Sequence, residues 1–339
     1  MTEDLTEWRR RQVAVESRAV PPHPVFEPYR PWAGDADAGW DVNFLGVRTR
    51  VAFFSLMEQL GDFSELRSIE AGLPVPNEEY FEWIALLEAV AEAEGSFVMV
   101  ELGAGWGRWI ANGVAALRMR RPLPYHVVGV ESEPTHFKWM QQHLECNGVD
   151  LGCSTLIEAA VAPEDGTVWF EVGSPADWYG QAIVGPPAQG DRTLLRRKVD
   201  ALFGRRRVQP ETRTVQQVRA VSLGSVLNDI AHADLLDLDI QGAEAAVLEP
   251  AADVLDAKVK RVCVGTHDVD NELRVRELFG GLGWECAYDY PSNGVSDTPW
   301  GRILFQDGVQ VWVNPRLQSR RRRPSDAPAA RIATSHLAV

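Results

Sequence analysis

Residues 97–107 read Phe-Val-Met-Val-Glu-Leu-Gly-Ala-Gly-Trp-Gly. A β-rich apolar run carries an acid near its end, Glu101, and glycines follow at every second position: Gly103, Gly105 and Gly107. A helical pattern, Arg108 to Arg120, comes next. Strand, tight turn and helix in that order let a nucleotide-like ligand lie against bare backbone, because glycine accepts the turn and puts no side chain in the way. The dinucleotide fingerprint Gly-x-Gly-x-x-Gly would need glycine where this chain has Arg108. A carboxylate at Glu101 is a poor neighbour for a pyrophosphate and a good one for a sulfonium or an amino group. A second acid, Glu131, ends the run His126-Val-Val-Gly-Val130, where it can accept hydrogen bonds from both hydroxyls of a ribose. It lies 28 residues past Gly103, longer than the typical spacing of about 20. Arg118 to Pro124 can loop out to absorb the excess. Glu133 competes for the same role, and the bland alternative is a surface acid opening a helix at Pro134.

Further along, two strand-like runs end in polar residues: Leu235-Leu-Asp-Leu-Asp239 and Val264-Gly-Thr-His267-Asp268. An unperturbed imidazole titrates near pH ~6.5, so His267 suits the removal of a hydroxyl proton. On a second reading Asp239, with His267 or Asp268 and with Glu244, holds a divalent metal such as Mg that acidifies the hydroxyl. On a third, Asp239 and Glu244 only brace the turn before a helix over 243–256, Glu244 acting near its N-terminus.

These groups need a scaffold. From residue 96 onward apolar strand candidates (97–102, 126–131, 154–160, 234–240, 260–266, 285–289) alternate with helix candidates (107–120, 134–146, 243–256, 271–282). That alternation predicts a mostly parallel sheet covered on both faces. Thr167 to Val172 reads as an extra strand, and Gly301 to Asn314 as two short strands around the turn Asp307-Gly308. Residues 1–95 form an N-terminal extension, Pro-rich at first and helical over 51–60 and 77–94, with Asn77 as a helix cap. It reads as a dimer arm in a homo-oligomer, a cap over the site, or both. Residues 96–316 form the ligand-binding domain, interrupted by an insertion over 173–217 that suits an acceptor lid or a solvated loop. Residues 317–339, with four consecutive arginines, predict a disordered tail.

With 339 residues, 45% hydrophobic, the chain can pack a large α/β domain. A net charge of −14 disfavours nucleic acid as a partner. The four cysteines show no Cys-x-x-Cys pair, which predicts reduced thiols and a cytoplasmic setting. No run approaches the roughly 18 apolar residues of a membrane span, so no membrane association is expected.

The form Glu101-x-Gly103-x-Gly105-x-Gly107 resembles motif I of class I S-adenosylmethionine-dependent methyltransferases. The run Asp234-Leu-Leu-Asp-Leu-Asp239-Ile-Gln-Gly242-Ala-Glu244 resembles the Asp-(Val/Ile)-x-Gly-x-Glu signature of the FkbM family, and Glu158-Ala-Ala-Val-Ala-Pro-Glu-Asp-Gly166 is similar to that family's third-strand region. The resemblance covers about residues 96–314. It implies a class I α/β Rossmann-like sheet closed by a C-terminal antiparallel hairpin, S-adenosylmethionine as cofactor, and O-methyl transfer to a hydroxyl of a sugar or natural product, a small-molecule acceptor. It also places Glu158 and Ala160 beside the adenine. The chain departs from the family where members more often carry an Asn-rich glycine loop. Trp178, Tyr179, Tyr288, Tyr290 and Trp300 are candidates for the acceptor mouth. Rival readings are a non-catalytic cofactor-binding regulator, a nicotinamide oxidoreductase, and a nucleic-acid methyltransferase supported only by the basic stretch 196–207.

Overall fold

Phe97–Leu102 is buried at every position, as a strand must be when helices cover both faces of its sheet. In the computed structural model, which describes residues 16–17, 20–54, 62–173, 183–185 and 214–318, this run is an interior strand of a seven-stranded sheet. We number its strands β1 (Phe97–Leu102), β2 (Tyr125–Glu131), β3 (Ser154–Glu158), β4 (Leu235–Leu238), β5 (Arg261–Thr266), β6 (Glu285–Tyr290) and β7 (Gly308–Val313). Their order is β6-β7-β5-β4-β1-β2-β3. Only β7 runs against its neighbours. This is the mostly parallel class I methyltransferase sheet with an antiparallel strand at its C-terminal side. The chain leaves β1 in one direction toward β2 and β3, and later returns on the other side through β4 and β5. The crevice for a ligand therefore lies beyond the carboxyl ends of β1 and β4.

The helices are α1 (Tyr80–Glu92), α2 (Arg108–Arg120), α3 (Pro134–Cys146), α4 (Leu223–Asn228), α5 (Glu244–Leu248), α6 (Ala252–Lys258) and α7 (Val269–Gly281). The period of two along β1 divides the core. Phe97 and Met99 pack with Ile84 and Leu87 of α1 and with Ile110 of α2. Val98, Val100 and Leu102 face the other layer, with Val247 of α5, Leu255 of α6 and Phe279 of α7. Among the described residues no helix is long and apolar enough to cross a membrane.

Several local expectations change. The run 154–160 breaks at Ala159: β3 stays in the central sheet, while Ala160–Ala162 enters a second sheet with Thr214–Ser222, Gly166–Val172 and Ile183–Val184. The helix expected over 243–256 divides into α5, a 3-10 turn at Glu249–Ala251, and α6. Pro250, which cannot donate to the preceding turn, sits at the break. Asn77 does not cap α1. The helix opens at Tyr80, whose N–H bonds the Asn77 carbonyl, and Glu79 at the N-cap makes no side-chain capping bond, its carboxylate being held by Arg108. The strands around Asp307-Gly308 do not pair with each other. Gly301–Phe305 pairs with Gly294–Thr298, whereas β7 joins β5 and β6. The helix expected over 51–60 is a 3-10 turn at Val51–Phe53, and 55–61 lie outside the described residues. So do 174–182 and 186–213 of the insertion and 319–339 of the tail.

Candidate active site

The turn after β1 needs glycine for stated reasons. Gly103, Gly105 and Gly107 all have positive φ, at 75°, 54° and 70°, a region that a Cβ disfavours. A Cβ on Gly103 would also sit 2.0 Å from the Asp239 carbonyl oxygen. The glycine loop is thus pressed directly against the chain leaving β4, and the two strand ends form one floor.

Glu101 lies beneath that floor. Its Oε1 accepts from the Trp109 N–H at 3.2 Å and its Oε2 from the Ile110 N–H at 2.9 Å. Both oxygens therefore close the N-terminus of α2. Burial, then the neighbouring Asp237, raise its pKa well above the usual range. The residue expected to face the ligand instead holds the loop from behind, and it is not part of the pocket wall. Glu131 does reach the pocket. Its Oε2 accepts from the Gly105 N–H at 2.7 Å, and its Oε1 from the Glu133 N–H at 2.7 Å. A carboxylate has about four lone-pair sites, so both oxygens retain capacity for ribose hydroxyls. Glu133 is spoken for otherwise: its side chain accepts the His136 N–H at 2.6 Å and caps α3.

The pocket above the loop is a cleft with about 640 Å³ of empty space, part of it open to solvent. Gly103, Gly105 and Glu131 form one side; Ala159, Ala160 and Val161 a second; Phe170 and Ile183 of the second sheet a third; Asp239, Ile240 and Gln241 the end toward β4. Ala160 lines this wall. Glu158 is exposed and stands outside this wall, because the chain changes sheets immediately after it.

At the β4 end the contacts pass between side chains. His267, after β5, places Nε2 3.2 Å from Asp239 Oδ1 and Nδ1 2.9 Å from Glu244 Oε1. Gln241 has φ of 56°, rare for a side-chain-bearing residue. Its amide nitrogen lies 3.0 Å from Asp239 Oδ1 and 2.9 Å from His267 Nε2. Asp307 Oδ1 stands 4.0 Å from the same ring nitrogen. Burial works against charge on His267. Hydrogen bonds that the protonated ring donates to Asp239 and Glu244, with the charges of those carboxylates, outweigh it and push the imidazole up to about 11. With these partners alone the ring carries a proton at neutral pH. Gln241 can follow either state, turning amide nitrogen toward a neutral ring or oxygen toward a protonated one.

Asp268 does not join this group. Its Oδ1 accepts the Asn271 N–H at 2.9 Å and its Oδ2 the Asn271 side-chain amide at 2.7 Å, capping α7. Of the two alternatives it is His267, with Glu244, that meets Asp239, and Glu244 also braces the turn by accepting the Gly242 N–H at 2.8 Å. The aromatic mouth is not formed as expected. Tyr290 and Trp300 are buried and pack on Phe81, as does Tyr288. Trp178 and Tyr179 lie outside the described residues. Sequence reasoning missed Gln241, Phe170 and Ile183. Only Gln241 had a signal, a polar residue before glycine at a strand end.

The N-terminal extension meets the loop at Trp106, which is not part of the pocket wall. Thr49 Oγ1 lies 3.0 Å from His143 Nε2, and His143 Nδ1 lies 3.0 Å from the Trp106 carbonyl within the glycine loop. Phe53 stacks on Trp139 and touches Trp106. Asn43 donates to Asn112 on α2 at 2.7 Å.

Comparison with known proteins agrees with this geometry. The methyltransferase FkbM domain model matches residues 115–288, a span containing Glu131, Asp239, Glu244 and His267. A protein of Jannaschia sp. (strain CCS1), named provisionally as a methyltransferase, is 27% identical over 300 residues, covering 83% of this chain and 95% of that one. Among solved structures, a methyltransferase FkbM from Methylobacillus flagellatus KT is 11% identical at a TM-score of 0.39, covering 70% of this chain and 55% of that one. A precorrin-6y C5,15-methyltransferase from Geobacter metallireducens GS-15 is 12% identical at a TM-score of 0.36, covering 68% and 85%. Likenesses at those scores carry nothing about the reaction. The domain match spans half of the chain, and the protein belongs to the family of methyltransferases with an FkbM domain.

Proposed function

We propose that this methyltransferase moves a methyl group from S-adenosylmethionine to a hydroxyl of a small molecule, a sugar or natural product. The observation that carries the reading is the single pocket that joins the glycine loop and Glu131 to Asp239, with His267 behind it. The residues fit the cofactor. The loop is bare backbone that a Cβ at Gly103 would block, Glu131 is placed for the ribose, and Ala160, Phe170 and Ile183 offer an apolar slot for the adenine.

When bound, the cofactor supplies an electrophilic methyl on a sulfonium. The chain's part is to align and deprotonate the acceptor. An alcohol oxygen becomes strongly acidic as its new bond to carbon forms, so a carboxylate suffices as base. Asp239 would accept the hydroxyl proton of an acceptor held against it. His267, tied to Glu244, holds Asp239 in place. The packing of residues 20–54 on Trp106 and α2 supports reading the extension as a brace for the loop.

The test is transfer of isotopically labelled methyl from S-adenosylmethionine to a panel of sugars and polyhydroxylated metabolites, with the methylated atom located by NMR. Label on a hydroxyl oxygen is the expected result. Label found only on nitrogen or carbon would overturn the O-transfer reading.

A further inference from the structure

The group around His267 has a shape that methyl transfer alone does not require. One donor atom each from Asp239, Glu244 and His267 lies within 4.8 Å of the others. Donors on a six-coordinate ion with bonds of about 2.1 Å stand roughly 3.0 to 4.2 Å apart; because Asp239 and Glu244 meet different ring nitrogens, His267 would exchange one of those two contacts for the ion as the three gather on one centre. A second observation is independent of that spacing. Glu244 is fully buried, and its Oε2 has no hydrogen-bond partner. Buried carboxylate oxygens ordinarily find a donor or a cation. Among the described residues, the ion pairs of Asp239 and Glu244 are with His267 alone; neither has a lysine or arginine.

We propose that Asp239, Glu244 and His267 form a divalent-cation site at the β4 end of the pocket. Two carboxylates and one imidazole suit Mg²⁺ or Mn²⁺. The site is asymmetric. Glu244 and His267 anchor it on the protein side, while Asp239 is 56% exposed and lines the pocket. The open positions therefore face the acceptor, and Asp307, 47% exposed at the rim, offers a further oxygen. A hydroxyl oxygen in an open position would lose its proton more readily. That last consequence rests on the methyl-transfer reading; the cation site itself does not.

The test is titration of Mn²⁺ into the full-length protein, followed by the loss of the free-ion electron paramagnetic resonance signal, with S-adenosylmethionine binding measured on the same samples. The expected result is one Mn²⁺ per chain, displaced by Mg²⁺. Glu244→Gln, close in shape, and His267→Gln should each weaken it roughly 10–100-fold while leaving S-adenosylmethionine affinity near that of wild type, which also shows that they fold. Absence of Mn²⁺ binding by wild type, or equal binding by both variants, overturns the proposal. Cofactor binding without Mn²⁺ binding refutes the cation site and leaves methyl transfer standing. Mn²⁺ binding at these residues without cofactor binding does the reverse.

Discussion

The two ends of the pocket are held by different means. At the glycine-loop end every carboxylate is fixed by backbone N–H groups: Glu101 by Trp109 and Ile110, Glu131 by Gly105 and Glu133, Glu133 by His136. At the β4 end Asp239, Gln241, Glu244 and His267 are held mainly by one another, and Asp239 is open to solvent. Contacts to backbone N–H groups tie each carboxylate to a main-chain path that its neighbours' side chains do not set. A side-chain network can be retuned by one substitution or one proton. The first end suits a constant cofactor, the second an acceptor that differs from enzyme to enzyme.

The comparison breaks first at its joint. Gly103→Val forces a Cβ onto the Asp239 carbonyl in a left-handed backbone. The strained φ alone costs about 1–3 kcal/mol. Denaturant melts should show at least that loss, and calorimetry should show no cofactor binding. Asp239→Asn acts only at the acceptor end. It should lower kcat by roughly 10²–10⁴-fold, the size of a general-base contribution, with cofactor affinity little changed; a parallel loss of affinity would mean that the two ends are not separable.

The brace beneath the loop gives a pH test. Burial holds His143 at about 4 against an ordinary 6.5. Its folded pKa is depressed, so the unfolded chain takes up the proton first, and stability falls as pH drops from about 6.5 toward 4. The full effect is about 3 kcal/mol. Glu78, raised to about 7 mainly by burial, works in the opposite direction over an overlapping range. The difference between wild type and His143→Gln in urea melts across that range isolates the histidine: wild type should lose about 3 kcal/mol relative to the variant as pH falls from 6.5 to 4. Smaller still, Phe170→Ala should weaken cofactor binding roughly tenfold by removing part of an apolar slot, whereas Glu158→Gln, outside the wall, should leave it unchanged. Calorimetry on the pair separates wall from rim.

The features that were legible in the sequence are those set by local chemistry. Three alternating glycines after a buried strand can hardly be other than a tight βα turn, and Glu131 follows because the next strand must end beside it. Glu101 shows the limit. A buried acid near a strand end has the same spacing whether it faces a ligand or caps the following helix, and only the direction of the Trp109 and Ile110 N–H groups decides. Asp268 and Glu244 are a second case: each follows a strand within a few residues, but Asp268 is consumed as a helix cap. The Asp307-Gly308 turn was visible, but which strands its flanks would join depends on the distant residues 285–290 and 294–298. Phe170 and Ile183 reach the pocket through a second sheet whose pairing with 214–222 no local pattern announces.

The central claim is that the bare loop at Gly105 and the buried Glu131 hold S-adenosylmethionine. Calorimetric titration of that cofactor into wild type and into Gly105→Arg tests it most directly. Micromolar binding by wild type that vanishes in the variant is the predicted result. No binding by wild type, or unchanged affinity with an arginine in the loop, would contradict it.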